Sequence, residues 1–319
     1  MNNHPFLEFE RPIVELENKI SDMKDFAVGQ DIELSGEIVS LEKKLEKLRE
    51  KTYSNLTRWQ KVQLSRHPKR PYTLDYIKMM TTGFIEMHGD RFFADDEAMV
   101  GGFAWLDDEP IMIVGQQKGR DTKQKVRRNF GMAHPEGYRK ALRLFRLAEK
   151  FQVPILVLVD TPGAFPGIGA EERGQAEAIA FNIREMSRIS VPIIVVIIGE
   201  GASGGALGVG VGDRVMILEY AWYSVISPEG CAAILWRDAA KAPEAAEALK
   251  PNSDDLIEMK IVDSIIPEPS CGAHRDPKTA AGLVKKAIQD AFQELKDKSV
   301  DELLLERLRK YRSIGVYEE

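Results

Sequence analysis

Apolar positions in the early part of the chain recur every three or four residues among Glu and Lys, with Ile38, Leu41, Leu45 and Leu48 forming one stripe. That spacing predicts an amphipathic helix. Residues 13–27 supply a second helical stretch, and Gly29 to Gly36 marks the break of a helical hairpin. Such a hairpin packs on its own domain or serves as an arm that holds a partner. From about residue 70 to 270 the pattern changes to short continuous apolar runs. Residues 111–115, 155–159, 193–198 and 215–218 predict strands, and residues 135–151 and 171–189 predict helices. Each helix is followed by a Val-Pro pair, Val153-Pro154 and Val191-Pro192, which helices do not continue through. Apolar strands separated by helices imply a mostly buried, largely parallel sheet, so the class is α/β. From Asp276 the helical period returns in Leu283, Ala287, Ala291 and Leu295. Ser299 and Glu302 then make a capping box for a last helix. The expected division is a helical arm at 1–35, a main domain at 36–296 and a helical tail at 297–319.

With 319 residues, 44% of them hydrophobic, one large core is affordable. No run reaches the 18 or so apolar residues of a membrane span. The opening Met1-Asn2-Asn3-His4-Pro5 lacks a signal-peptide pattern, and only Cys231 and Cys271 are present, so a reducing, cytoplasmic location is expected. Two thiols cannot complete a four-ligand zinc site, and His4, His67, His88, His134 and His274 show no metal-ligand spacing, so no metal is expected. The net charge of −6 argues against bulk nucleic-acid binding. One segment is basic all the same: Lys118, Arg120, Lys123, Lys125, Arg127 and Arg128 follow the strand ending at Gly115. It suits a solvated face or an anion such as a CoA phosphate.

Candidate chemistry concentrates in two glycine-rich turns. Asp160 to Gly167 follows one buried strand and Gly199 to Gly208 follows another, at the carboxyl ends where ligands bind in open α/β sheets. A helix starting at Gly204-Gly205 would aim unpaired N–H groups and their dipole into that crevice. One preorganised donor of this kind is worth about 3 kcal/mol of transition-state stabilisation. Three short patterns compete. Asp160-Thr161-Pro162-Gly163 looks like a GTPase element, but no phosphate loop lies upstream. Gly199 to Gly204 matches a dinucleotide fingerprint, yet the crossover from Gly204 to Gly212 carries five glycines and is shorter than the dozen or so residues of a parallel crossover. Gly201-Ala202-Ser203-Gly204-Gly205 matches a serine-hydrolase nucleophile elbow with His274 downstream, a serious rival. Glu258-Met259-Lys260-Ile261 looks like a biotin attachment site, without the small β-domain that would present Lys260.

Taken together, longer stretches resemble one family, the α subunit of the bacterial multisubunit acetyl-CoA carboxylase carboxyltransferase. They are 160–175, Gly199 to Ala206, 223–232, 263–269, 127–132, His67 to Tyr76 and the opening Phe6-Leu7-Glu8-Phe9-Glu10. Many members carry Gly at the position of Ala202. The resemblance implies a crotonase-type superhelix of ββα units with helical extensions at both ends. It implies an α2β2 heterotetramer with a zinc-bearing β subunit that binds acetyl-CoA, giving malonyl-CoA for fatty acid synthesis. This chain would then hold carboxybiotin borne on a separate biotin carboxyl carrier protein, which a biotin carboxylase recharges with ATP. The amides of Gly204, Gly205, Gly163 and Ala164 would be the catalytic groups. Phe165, Gly201, Ala202 and Ser203 would line the cofactor site, with no metal on this chain. No membrane or nucleic-acid partner is implied, and the short N-terminus suits a bacterial chain.

Overall fold

The computed structural model describes residues 6–30 and 35–315. Its N-terminal hairpin is α1 (Arg11–Gln30) and α2 (Ser35–Tyr53). The predicted break at Gly29 to Gly36 largely coincides with residues 31–34, outside the described residues. Ile38, Leu41, Leu45 and Leu48 pack on Ile13, Leu16 and Ile20, and the same cluster continues through Tyr53 to Leu64, Tyr220 and Cys271 of the body. The stripe therefore joins the hairpin both to itself and to the main domain.

Two short helices follow, α3 (Arg58–Ser65) and α4 (Thr73–Met80), before an eight-stranded sheet. Its strands are β1 (Thr82–Glu86), β2 (Met99–Leu106), β3 (Glu109–Gln116), β4 (Ile155–Thr161), β5 (Ile193–Ala202), β6 (Arg214–Leu218), β7 (Trp222–Ser224) and β8 (Ser264–Ile266). The order is β1-β2-β3-β4-β5-β6-β8, with β7 paired to the end of β5. From β3 onward every pairing is parallel, while β1, β2 and β3 form an antiparallel meander. All four predicted strands are present. β4 and β5 are buried along their whole length, which accounts for their unbroken apolar runs.

The helices that cover the sheet are α5 (Thr122–Arg127), α6 (Pro135–Phe151), α7 (Ile168–Glu172), α8 (Gln175–Met186), α9 (Ser203–Leu207), α10 (Pro228–Trp236), α11 (Ala242–Leu249), α12 (Ser253–Glu258), α13 (Pro277–Lys296) and α14 (Val300–Arg312). α6 has the predicted bounds. The single helix expected over 171–189 is instead two, because Gly174 takes φ 81° and caps α8. The buried stripe of α13 runs through Val284, Ile288, Ala291 and Leu295, while Leu283 and Ala287 pack at its margin. The Ser299–Glu302 capping box forms as expected, with Ser299 N–H donating to Glu302 Oε2 at 3.0 Å.

α14 is bound tightly to the body. The Arg307 guanidinium is buried and reaches Asp213 through Nε and Nη2, both at 2.7 Å. It also donates to the carbonyls of Met186, the last residue of α8, and of Ile189 and Val191 beyond it. Cys231 and Cys271 are both free and buried. Among the described residues no helix is long and apolar enough to cross a membrane.

Candidate active site

Parallel pairing brings the ends of β4 and β5 to the same edge, with Val159 opposite Ile197 and Thr161 opposite Gly201. The two glycine-rich turns emerge there and touch. A Cβ on Gly205 would lie 2.3 Å from Gly163 C and 2.5 Å from Ala164 N, so only glycine lets the two backbones meet. A Cβ on Gly204 would meet only the Ile179 side chain, at 3.5 Å. The steric demand for glycine therefore falls on Gly205 and not on Gly204.

In the β4 turn, Gly163 takes φ 149° and its N–H donates to Thr161 Oγ1 at 3.1 Å. Thr161 Oγ1 in turn donates to Gly163 O at 2.7 Å. Phe165 N–H donates to Ala133 O at 3.0 Å. Between these two committed amides lies the Ala164 N–H, which has no acceptor among the described residues. Of the pair expected to donate here, Ala164 carries the available hydrogen and Gly163 supplies the backbone path. In the β5 turn the first amides of α9 have no acceptor within a helix. The N–H groups of Gly204 and Gly205 find none elsewhere among the described residues. α9 has only five residues, so the individual amides matter here and the summed helix dipole expected from the sequence is slight.

The residues expected around the cofactor divide. Phe165 is half-buried and stacks on His134, ring centroids 4.2 Å apart. Ser203 is exposed, takes φ 57° and borders a cavity of about 400 Å3 walled by Leu207, Tyr223, Val225, Leu256 and Ile261. Ala202 points away from any such wall: its methyl is fully buried against Val62 and Trp222. Gly201 is likewise a buried strand residue, where a Cβ would press on Tyr223 at 2.8 Å. These two shape the strand behind the site.

The serine-hydrolase arrangement does not assemble. His274 is buried beside Glu10, Nε2 to Oε1 3.2 Å, and packs against His67 with ring centroids 4.1 Å apart and planes tilted by 39°. No hydrogen bond joins Ser203 to a histidine among the described residues. Glu10, His67 and His274 form a buried group of potential metal ligands whose donor atoms lie within 4.8 Å of one another, a clustering that their separation in sequence concealed. Burial alone would raise the Glu10 carboxyl, but hydrogen bonds from His274, Leu7 N–H and Tyr53 outweigh it and bring it to about 2. Arg275 also approaches Glu10 Oε1 at 3.5 Å. The carboxylate thus already serves several donors, and the cluster works as a latch between the hairpin and the body.

Charged side chains brace the turns from behind. Lys118 Nζ contacts Asp160 Oδ1 at 2.7 Å and Glu200 Oε2 at 2.5 Å. Arg66 bonds Glu200 Oε1 at 2.6 Å and also pairs with Glu229. Glu200 N–H donates to Asp160 Oδ1 at 3.0 Å, tying β5 to β4. Burial keeps the Asp160 carboxyl above its usual range despite Lys118. For Glu200, burial is outweighed by Lys118 and Arg66 and the net shift is downward. The basic segment is therefore only partly a free charge surface. Lys118 belongs to this network, Arg120 pairs with Asp75 and stacks over Tyr72, Arg127 pairs with Glu97, and Arg128 donates to Glu97 O. Lys260 lies in the turn after α12, so the local resemblance to a biotin attachment site has no hairpin tip to stand on.

The comparisons with known proteins settle the ancestry. The family model described as acetyl co-enzyme A carboxylase carboxyltransferase-like matches residues 6–315. The chain belongs to this carboxyltransferase family. A relative from Geobacter metallireducens, named acetyl-coenzyme A carboxylase carboxyl transferase subunit alpha, is 58% identical over 313 residues, covering 98% of each chain. A relative of the same name from Thermus thermophilus is 56% identical, covering 98% of this chain and 99% of its own. Among solved structures, the Pseudomonas malonate decarboxylase hetero-tetramer with coenzyme A aligns at TM-score 0.59 and 17% identity, over 75% of this chain and 94% of the other. Transcarboxylase 12S aligns at TM-score 0.56 and 20% identity, over 70% of this chain and 41% of that one. At such identities the likeness is one of fold, and the crotonase-type α/β fold expected of a carboxyltransferase subunit is the one observed.

Proposed function

We propose that this chain is the α subunit of a biotin-dependent acetyl-CoA carboxyltransferase and handles the carboxybiotin side of the transfer that gives malonyl-CoA. The observation that carries the assignment to this site is the contact of Gly205 with the Gly163–Ala164 peptide, which gathers at one strand edge the N–H groups of Ala164, Gly204 and Gly205, unpaired among the described residues. Carboxybiotin supplies an activated carboxyl group, and its transfer leaves negative charge on a ureido oxygen. Amides held in place before the reaction stabilise such charge without reorganising at the moment it develops. The half-buried Phe165 ring and the apolar cavity beside Ser203 suit a flat bicyclic ring and help to exclude water. No side chain of this chain forms a covalent bond. Acetyl-CoA, the zinc and the remainder of the site belong, in this reading, to a β subunit in an α2β2 cytoplasmic assembly. ATP is used only by the biotin carboxylase that recharges the carrier protein. Exposed Val225, Ile234, Leu235 and Trp236 on and beside α10 leave apolar surface for a subunit partner to cover.

The test is reconstitution. Malonyl-CoA should form from carboxylated carrier protein and acetyl-CoA only when this chain and its β partner are both present. Ser203→Ala should keep kcat within about tenfold of wild type, since no step runs through that hydroxyl. Transfer by this chain alone, or loss of all activity in Ser203→Ala, would refute the proposal.

A further inference from the structure

Resting on the reading above, we infer that Gln116 is a positioning residue for carboxyl transfer, setting the peptide of Gly205 against the β4 turn. Gln116 is the last residue of β3 and is fully buried. Its one side-chain amide spans both turns: Oε1 accepts from Asp160 N–H at 3.2 Å and Nε2 donates to Gly205 O at 3.1 Å. Two residues on, Lys118 repeats the bridge in charged form between Asp160 and Glu200. Alternate positions at and just beyond the end of one strand thus staple the other two strand ends together, as the two-residue period of extended chain allows.

The need for a staple follows from the shortness of α9. A five-residue helix has too few internal hydrogen bonds to fix its own orientation. Gly205 lacks a side chain to anchor, and its flanking peptides are therefore held from outside. Its carbonyl takes two buried donors, Gln116 Nε2 and Tyr138 Oη, the latter at 3.3 Å. That carbonyl belongs to the peptide after Gly205, so its two donors restrain the ψ of Gly205 and, through it, how the residue and the amide before it sit against the Gly163–Ala164 peptide. Loss of the Nε2 bond would let the plane rotate and leave a buried carbonyl short of a partner. Geometric errors of this kind act on the transition state more than on substrate binding.

Gln116→Glu separates the two bonds, since it keeps an acceptor for Asp160 N–H and removes the donor to Gly205 O. In the reconstituted complex, kcat relative to wild type should fall about ten- to a hundredfold at pH 8, with the KM for acetyl-CoA unchanged. As pH falls the ratio should recover, because the protonated carboxyl can again donate to Gly205 O. Tyr138→Phe, which removes the longer of the two bonds, should lower kcat by less and show no such pH dependence. Wild-type kcat in Gln116→Glu at alkaline pH and also in Gln116→Met, which can donate to Gly205 O at no pH, would overturn the inference, as would a Gln116→Glu loss that is flat with pH and tracks a lower melting temperature. If Gly205→Val abolishes transfer while both of these variants keep wild-type kcat, only this inference fails. If Gly205→Val also retains activity, the assignment of the amides themselves fails.

Discussion

Gly205→Val is expected to lower carboxyl transfer about a thousandfold or more, the largest loss of any single substitution at the site. The clash is with backbone: the new Cβ alone would stand 2.3 Å from Gly163 C and 2.7 Å from Gly163 O. No rotamer change relieves such a contact, so the two turns must part. One preorganised donor is worth about a hundred- to a thousandfold, and the displacement affects donors on both turns. Gly204→Ala supplies the contrast. Its Cβ meets only the Ile179 side chain, no nearer than 3.5 Å, and its φ lies outside the left-handed region, so activity should stay within about tenfold of wild type. Steady-state kinetics of the two variants, with subunit assembly checked by gel filtration, decide the matter. Equal losses would mean that contact between the turns is not what places the donors.

The second large effect concerns stability. Arg307→Met should destabilise the fold by about 3–5 kcal/mol, because it strands a buried carboxylate and removes donors from three carbonyls. Arg307 and Asp213 have side-chain exposures of 1% and 3%, so solvent cannot substitute for the lost partner. The same guanidinium holds Met186, Ile189 and Val191 in the segment that leads into β5. Urea denaturation of the purified chain should show a lower midpoint with the slope little changed. A shift worth less than about 1 kcal/mol would place the pair among those that contribute little.

Much of this was legible in the sequence because buried parallel strands leave continuous apolar runs, and β3, β4, β5 and β6 carry them. β1 and β2 were missed for the opposite reason: β1 is largely exposed, and two glycines, Gly101 and Gly102, interrupt β2. The helix expected over 171–189 failed at Gly174, whose left-handed cap a periodicity reading cannot weigh. Both site turns could be read from their glycines and from their place after strands. Which amides are available could not, since that depends on whether Gly163 N–H turns to Thr161 Oγ1 and Phe165 N–H to Ala133 O. Gln116, Arg307 and the His67–His274 pair were hidden because their partners are distant in sequence and no local pattern marks them. Partners within the fold for four of the six cations in the basic segment could not be read from the sequence, since all of them lie far along the chain.

A backbone N–H, and no side chain, is expected to stabilise the charge that develops on transfer. Replacing the Gly205 residue by glycolic acid through semisynthesis turns that one amide into an ester and removes the hydrogen while adding no bulk. In the reconstituted complex kcat should fall by about a hundredfold or more, with the KM for acetyl-CoA unchanged. A kcat within about twofold of the all-amide protein would contradict it.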